Sequence, residues 1–151
     1  MTEVTALTVE RLTQPDAKDF DAIVALEGES FSNPWTAAAL AEMLTSPVTR
    51  LYVARQPDRR VIGFCACWLI EDELHINTVA VKPSRRRQGV ATRLLKEILA
   101  GTAAQKATLE VRRSNVAALK LYESLGFATT AVRPRYYSSP EDDALVLWRH
   151  P

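Results

Sequence analysis

At 151 residues, 47% of them hydrophobic and 25% charged, the chain has the length and composition of one soluble domain, spanning residues 1–151. Folding at this size buries roughly 70% of the surface the unfolded chain exposes. No apolar run approaches the ~18 residues of a membrane span, and residues 1–10 lack a basic region followed by an apolar block, so a cytoplasmic protein without a membrane partner is expected. A net charge of +1, with arginines that do not alternate with aromatics, argues against direct nucleic-acid binding.

The elements begin with a strand over residues 6–12. Pro15 and Asp16 then open a helix whose Phe20, Ile23, Val24 and Glu27 share a face. A second helix follows Thr36, after an irregular stretch, residues 31–35, that carries Phe31 and Trp35. Consecutive strands over residues 51–55, 61–70 and 74–81, separated by the turn signals Pro57-Asp58 and Glu71-Asp72, suggest an antiparallel meander. A helix over residues 89–100 stripes Leu94, Leu95, Ile98 and Leu99, and Gly101 stops it. A short strand, 107–111, leads to a helix capped by Ser114 or Asn115, with Ala118, Leu121, Tyr122 and Leu125 on one face and Gly126 past its end. Strands over residues 128–133 and 144–148 close the chain.

The two cysteines, Cys65 and Cys67, share a strand face about 6.6 Å apart, near the upper limit for a bridge, and read as buried thiols. His75 and His150 form no ligand pair, so no metal is expected.

Residues 79–91 read as a strand, a proline exit, a basic loop and a helix start. The first N–H groups of a helix lack partners inside it and its positive dipole end faces outward, so this is an anion site reinforced by Arg85, Arg86 and Arg87. Gly89 and the small Ala91 let a phosphate approach the backbone.

Arg86-Arg87-Gln88-Gly89-Val90-Ala91 fits the Arg/Gln-x-x-Gly-x-Gly/Ala signature, and the chain resembles the Gcn5-related N-acetyltransferases (GNAT superfamily). The block from Leu109-Glu110-Val111-Arg112 to Leu125-Gly126-Phe127, with Asn33-Pro34-Trp35 and Tyr136-Tyr137, resembles the branch that acetylates the N-terminal alanine of a small-subunit ribosomal protein. The resemblance implies an α/β fold: a mixed, mostly antiparallel, twisted sheet of about seven strands, splayed at its centre, with helices on both faces. It implies acetyl-CoA as co-substrate and a protein N-terminus as acceptor, with a monomer favoured. It further implies that Val79, Ala80 and Val81 bind the acetyl-pantetheine arm; that Arg87, Gln88, Gly89, Val90, Ala91 and Thr92 bind the pyrophosphate; and that Asn115 touches the cofactor. Glu110 matches the general base and Tyr122 the general acid.

Other roles for these residues stay open. Tyr122 also fits a core position, Glu110 also fits an ion pair with Arg112, and Asn115 a helix cap. Trp35, Tyr136 and Tyr137 are expected to wall a peptide groove, or to pack loops. The acidic group Glu141, Asp142 and Asp143 would attract a basic acceptor.

An α-amine of pKa about 7.8 is roughly one-seventh neutral at pH 7, whereas a lysine is about three-hundredfold worse, so one carboxylate suits an N-terminal amine. Rival readings are an acetyltransferase for a small amine or an internal lysine, and a non-catalytic coenzyme A-binding module.

Overall fold

A computed structural model describes residues 6–102 and 104–150, in which the chain forms seven strands and four α-helices among the described residues. It runs β1 (Thr8–Leu12), α1 (Ala17–Ser30), α2 (Ala37–Met43), β2 (Thr49–Arg55), β3 (Val61–Ile70), β4 (Glu73–Val81), a single 3-10 turn (Pro83–Arg85), α3 (Val90–Gly101), β5 (Lys106–Arg112), α4 (Val116–Ser124), β6 (Ala128–Tyr137) and β7 (Asp142–Arg149). The seven strands form one sheet in the order β1-β2-β3-β4-β5-β7-β6, antiparallel except for the β4–β5 pair. The expected mixed sheet with helices on both faces is therefore what the chain adopts.

Local chemistry sets the helix ends. Asp16 and Thr36 cap α1 and α2 by accepting from the Asp19 and Ala39 amides at 2.8 and 3.1 Å. Gly101, expected to end α3, is its last helical residue; Thr102 takes the cap and its amide reaches the Ile98 carbonyl. β6 runs past the expected residue 133 to Tyr137, through Pro134. It is an edge strand, where a missing N–H need not cost a ladder bond.

One core lies under α3 and α4, built on Cys65, Cys67, Leu74, Ile76, Leu109, Leu145 and Leu147 from the sheet and Leu94, Leu95 and Ile98 from α3. The other lies under α1 and α2 and holds Ile23, Leu26, Leu40, Val53, Phe64 and Ala80. Both cysteines are buried and free, as their spacing predicts.

An ion cluster fixes α1 against the sheet. Arg55 of β2, 8% exposed, meets Asp19 of α1 at 2.7 Å and Glu10 of β1 at 3.0 Å. The Arg55 hydrogen bond holds the Asp19 carboxyl below its ordinary value, and bonds from Arg59 and then Arg55 do the same for Glu10. Lowered carboxyl values stabilise the fold above the unfolded values of about 3.9 and 4.3, and that contribution is lost as pH falls through the folded ones. Arg55→Met is expected to destabilise the protein by about 3 kcal/mol at neutral pH, since it strands the Asp19 carboxylate, while Glu10 keeps its bond from Arg59 at 2.9 Å. In urea unfolding, the difference from wild type is expected to shrink as pH falls below the unfolded Asp value of about 3.9 and through the lower folded one.

Candidate active site

β4 and β5 pair only from Glu73↔Lys106 to Ile76↔Leu109 and then part. The cause is a bulge: β3 pairs Cys67 with Ile76 and Ala66 with Thr78, so Asn77 is an extra residue in β4 and bends it away. Beyond this point β4 bonds only β3, through Val79, Ala80 and Val81, and β5 bonds only β7, through Glu110, Val111 and Arg112. Two strand edges without a ladder partner among the described residues thus face each other across a fork, and of the β4 edge only the Val81 carbonyl is taken, by Arg86.

Side-chain alternation assigns the faces of that fork. Leu109 and Val111 enter the core under α3 and α4, so Glu110 and Arg112 point to the α1–α2 face. Glu110 forms an ion pair with Arg133 of β6, Oε2 to Nε 2.8 Å, with 31% of its side chain reached by solvent. The expectation that Arg112 would hold Glu110 is therefore corrected. Arg112 bonds the Pro140 and Ser138 carbonyls and the Ser32 hydroxyl, and lies 4.5 Å over the Tyr137 ring. The carboxylate of Glu110 stands at the mouth of the fork instead of in the core.

Tyr122 approaches from the opposite face. It is the third residue from the end of α4, where the Phe127 amide reaches back to the Tyr122 carbonyl and the Gly126 amide to Glu123, both at 3.0 Å. This closure needs a left-handed residue after the helix, which Gly126 supplies with φ +95°. It carries the expected hydrophobic contact, with the Tyr122 and Phe127 rings 5.8 Å apart, edge to face. The Tyr122 ring packs against the core, yet its hydroxyl finds no hydrogen-bond partner among the described residues. Desolvation pushes that hydroxyl well above the ordinary phenol value, and Cys65 and Tyr137 add to the shift.

At the end of β4 the basic loop turns into α3. Arg87 and Gly89 take left-handed φ of 62° and 79°, and the first intrahelical bond is Arg93 N to Gly89 O. The amides of Val90, Ala91 and Thr92 therefore point outward without helical partners. Arg85 and Arg86 brace the loop: Arg85 bonds Gln56 and Gln88, and Arg86 bonds the Val81 carbonyl and Ser30. Arg87 has no partner among the described residues and remains available to an anion. Asn115 caps α4 by accepting from the Ala118 amide at 3.1 Å, so its Oδ1 is occupied.

The two aromatic segments also meet. Asn33 donates to the Ser138 carbonyl at 2.5 Å, and Arg112 bridges Ser32 and Ser138, joining the loop 31–35 to the β6–β7 turn. Trp35 and Tyr136 are 36% and 51% exposed, while burial raises the Tyr137 hydroxyl above its ordinary value. The acidic group is largely consumed: Asp142 accepts from Ser114, and Asp143 pairs with Arg113 and accepts the Arg135 amide. Glu141 keeps only a 3.9 Å contact with Arg135.

Sequence reasoning did not single out Arg133, Thr78 or Glu27. Glu27 lies 1% exposed in α1, bonded to Thr78 and the Trp35 amide. Its signal was a carboxylate on the apolar face of a helix; Arg133 and Thr78 offered none.

The model for the acetyltransferase (GNAT) family matches residues 20–127, and the chain belongs to that family of acetyltransferases. The N-alpha-acetyltransferase RimI of Mycobacterium tuberculosis is 32% identical, over 95% of this chain and 92% of that protein. The ribosomal protein bS18-alanine N-acetyltransferase of Haemophilus ducreyi is 31% identical, over 86% and 92% respectively. Among solved structures, the ribosomal-protein-S18-alanine N-acetyltransferase from Escherichia coli superposes with a TM-score of 0.85 at 27% identity, covering 95% of this chain and 93% of that one.

Proposed function

We propose that this chain transfers the acetyl group of acetyl-CoA to the α-amine at a protein N-terminus, with the N-terminal alanine of a small-subunit ribosomal protein as acceptor, in the cytoplasm. The observation that supports the reading is the fork, with the Glu110 carboxylate on one face of the sheet and, on the other, the Tyr122 phenol, which has no partner among the described residues. The relatives' named substrates point to the same acceptor.

The site suits the donor chemically. The outward amides of Val90, Ala91 and Thr92, with Arg87, Gln88 and Gly89, match a diphosphate. The free edge at Val79, Ala80 and Val81 matches an extended amide-bearing arm. Bound acetyl-CoA supplies the activated thioester; the rest of the chemistry belongs to the chain. Backbone N–H groups of that edge hold the carbonyl oxygen as negative charge develops on it. Glu110 takes the ammonium proton, directly or through a water, and Tyr122 gives its proton to the departing sulfur. The Asn115 amide nitrogen, left free by the cap, adds a donor contact to the cofactor. Trp35, Tyr136 and Tyr137 wall the acceptor groove.

The test is free-thiol release from acetyl-CoA with a peptide bearing the ribosomal protein's N-terminal alanine, beside the same peptide with its α-amine blocked. Turnover with the free amine alone is expected. Preference for polyamines, free amino acids or an internal lysine would replace the acceptor, and cofactor binding without turnover would remove the enzymatic reading.

A further inference from the structure

We propose that Glu27 is a positioning residue for the acceptor: its buried carboxylate ties the loop 31–35 to the donor-side arm of the fork. The inference rests on the reading of that loop as a wall of the acceptor groove. Glu27 Oε2 accepts the Trp35 amide at 3.0 Å, and Oε1 accepts the Thr78 hydroxyl at 2.6 Å. Glu27 is 1% exposed and Thr78 6%. Thr78 is the first residue beyond the Asn77 bulge and precedes Val79, where the donor edge begins. On the other arm the same loop is held by Arg112 through Ser32 and by Asn33 through the Ser138 carbonyl. The loop thus spans the fork, and Glu27 sets the distance between the acceptor wall and the strand read as the acetyl site.

The chemistry explains why a carboxylate stands here. A backbone amide can only donate, so the group facing Trp35 must accept. The Thr78 hydroxyl can donate or accept. Glutamine can therefore replace glutamate with both bonds kept, its carbonyl toward Trp35 and its amino group toward a rotated Thr78 hydroxyl. Alanine leaves a buried amide and a buried hydroxyl without partners. A group that moved a proton in the reaction would not be replaced by glutamine, so the two variants separate positioning from proton transfer.

The experiment is steady-state kinetics of Glu27→Ala and Glu27→Gln with the alanine-terminated peptide, with acetyl-CoA binding measured by calorimetry. Misplacing a substrate wall is expected to raise the peptide KM of Glu27→Ala about tenfold or more, with acetyl-CoA affinity within about twofold. Glu27→Gln is expected within about threefold of wild type throughout, because both bonds survive. A rise shared equally by both substrates, an unchanged peptide KM, or an inactive Glu27→Gln would overturn the proposal. If Glu27→Ala does not fold, Thr78→Val is expected to give the same split with a smaller rise, and no split overturns it. If wild type turns over no free α-amine, the functional reading has failed. Glu27 is then judged by hydrogen exchange at the Trp35 amide, expected to be faster in Glu27→Ala and unchanged in Glu27→Gln; unaltered exchange in Glu27→Ala would overturn the anchoring.

Discussion

Glu110→Gln is expected to lower kcat/KM for the free-amine peptide about 10²–10³-fold at neutral pH, the usual scale for loss of a positioned base. At 1.36 per tenfold this is about 2.7–4.1 kcal/mol of transition-state stabilisation. The amide keeps the shape of the side chain, and its carbonyl can still accept from Arg133 Nε, which stands 2.8 Å from the carboxylate, so the fold and the mouth of the fork are retained. What is lost is the capacity to take a proton. The deficit is expected to narrow as pH rises through the α-amine value of about 7.8, because solvent then performs the deprotonation. Thiol release measured across that range checks both statements. A uniform deficit at every pH would assign Glu110 to binding instead of proton removal.

Tyr122→Phe is expected to reduce kcat about 10²-fold or more, through loss of the proton donor to the leaving sulfur. Its effect on stability is expected to be small. The ring contact with Phe127 and the helix-ending bonds through the Tyr122 carbonyl survive, and the deleted hydroxyl has no partner among the described residues. Because desolvation holds this hydroxyl above the ordinary phenol value, it stays protonated well into the alkaline range. The wild-type profile is therefore expected to rise with pH and to show no descending limb below about pH 10. A descending limb near pH 8–9 (about the thiol range) would point to a different acid. Equal unfolding midpoints for Tyr122→Phe and wild type would separate chemistry from folding.

Much of the site was legible along the chain because its parts are local. A strand exit followed by a helix start is a local pattern, so residue type and spacing marked Arg87 to Ala91 as a candidate anion loop, and the family resemblance assigned it the pyrophosphate. Asn115 and Gly126 marked the ends of α4 by the side-chain cap and the positive φ that helix ends require. The family signature attached roles to Glu110 and Tyr122, which the fold sets on opposite faces of the sheet. The arginine partner that sequence proximity offered for Glu110 was Arg112, on the same strand. The true partner, Arg133, reaches from β6 across β7, a contact made by sheet order, which no local pattern encodes. In the acidic group at residues 141–143, read as an attractor for a basic acceptor, Asp142 and Asp143 are taken up by Arg113, Ser114 and the Arg135 amide, and Glu141 alone stays largely exposed.

The sequence by itself determined the elements, their caps, the basic loop that opens α3 and the family, since each depends on residues within a few positions of one another. The resemblance implied a sheet splayed at its centre, and tertiary structure decided how the fork is made: one extra residue in β4 measured against β3, and a parallel pairing with β5 that stops at Ile76 and Leu109. It also decided that Glu110 and Tyr122 lie on opposite faces of the sheet. Finally, it decided that Glu27, an ordinary-looking carboxylate on a helix stripe, is buried between the Trp35 amide and the Thr78 hydroxyl. A buried charge persists only where the fold supplies its partners, and those partners lie 8 and 51 residues away along the chain.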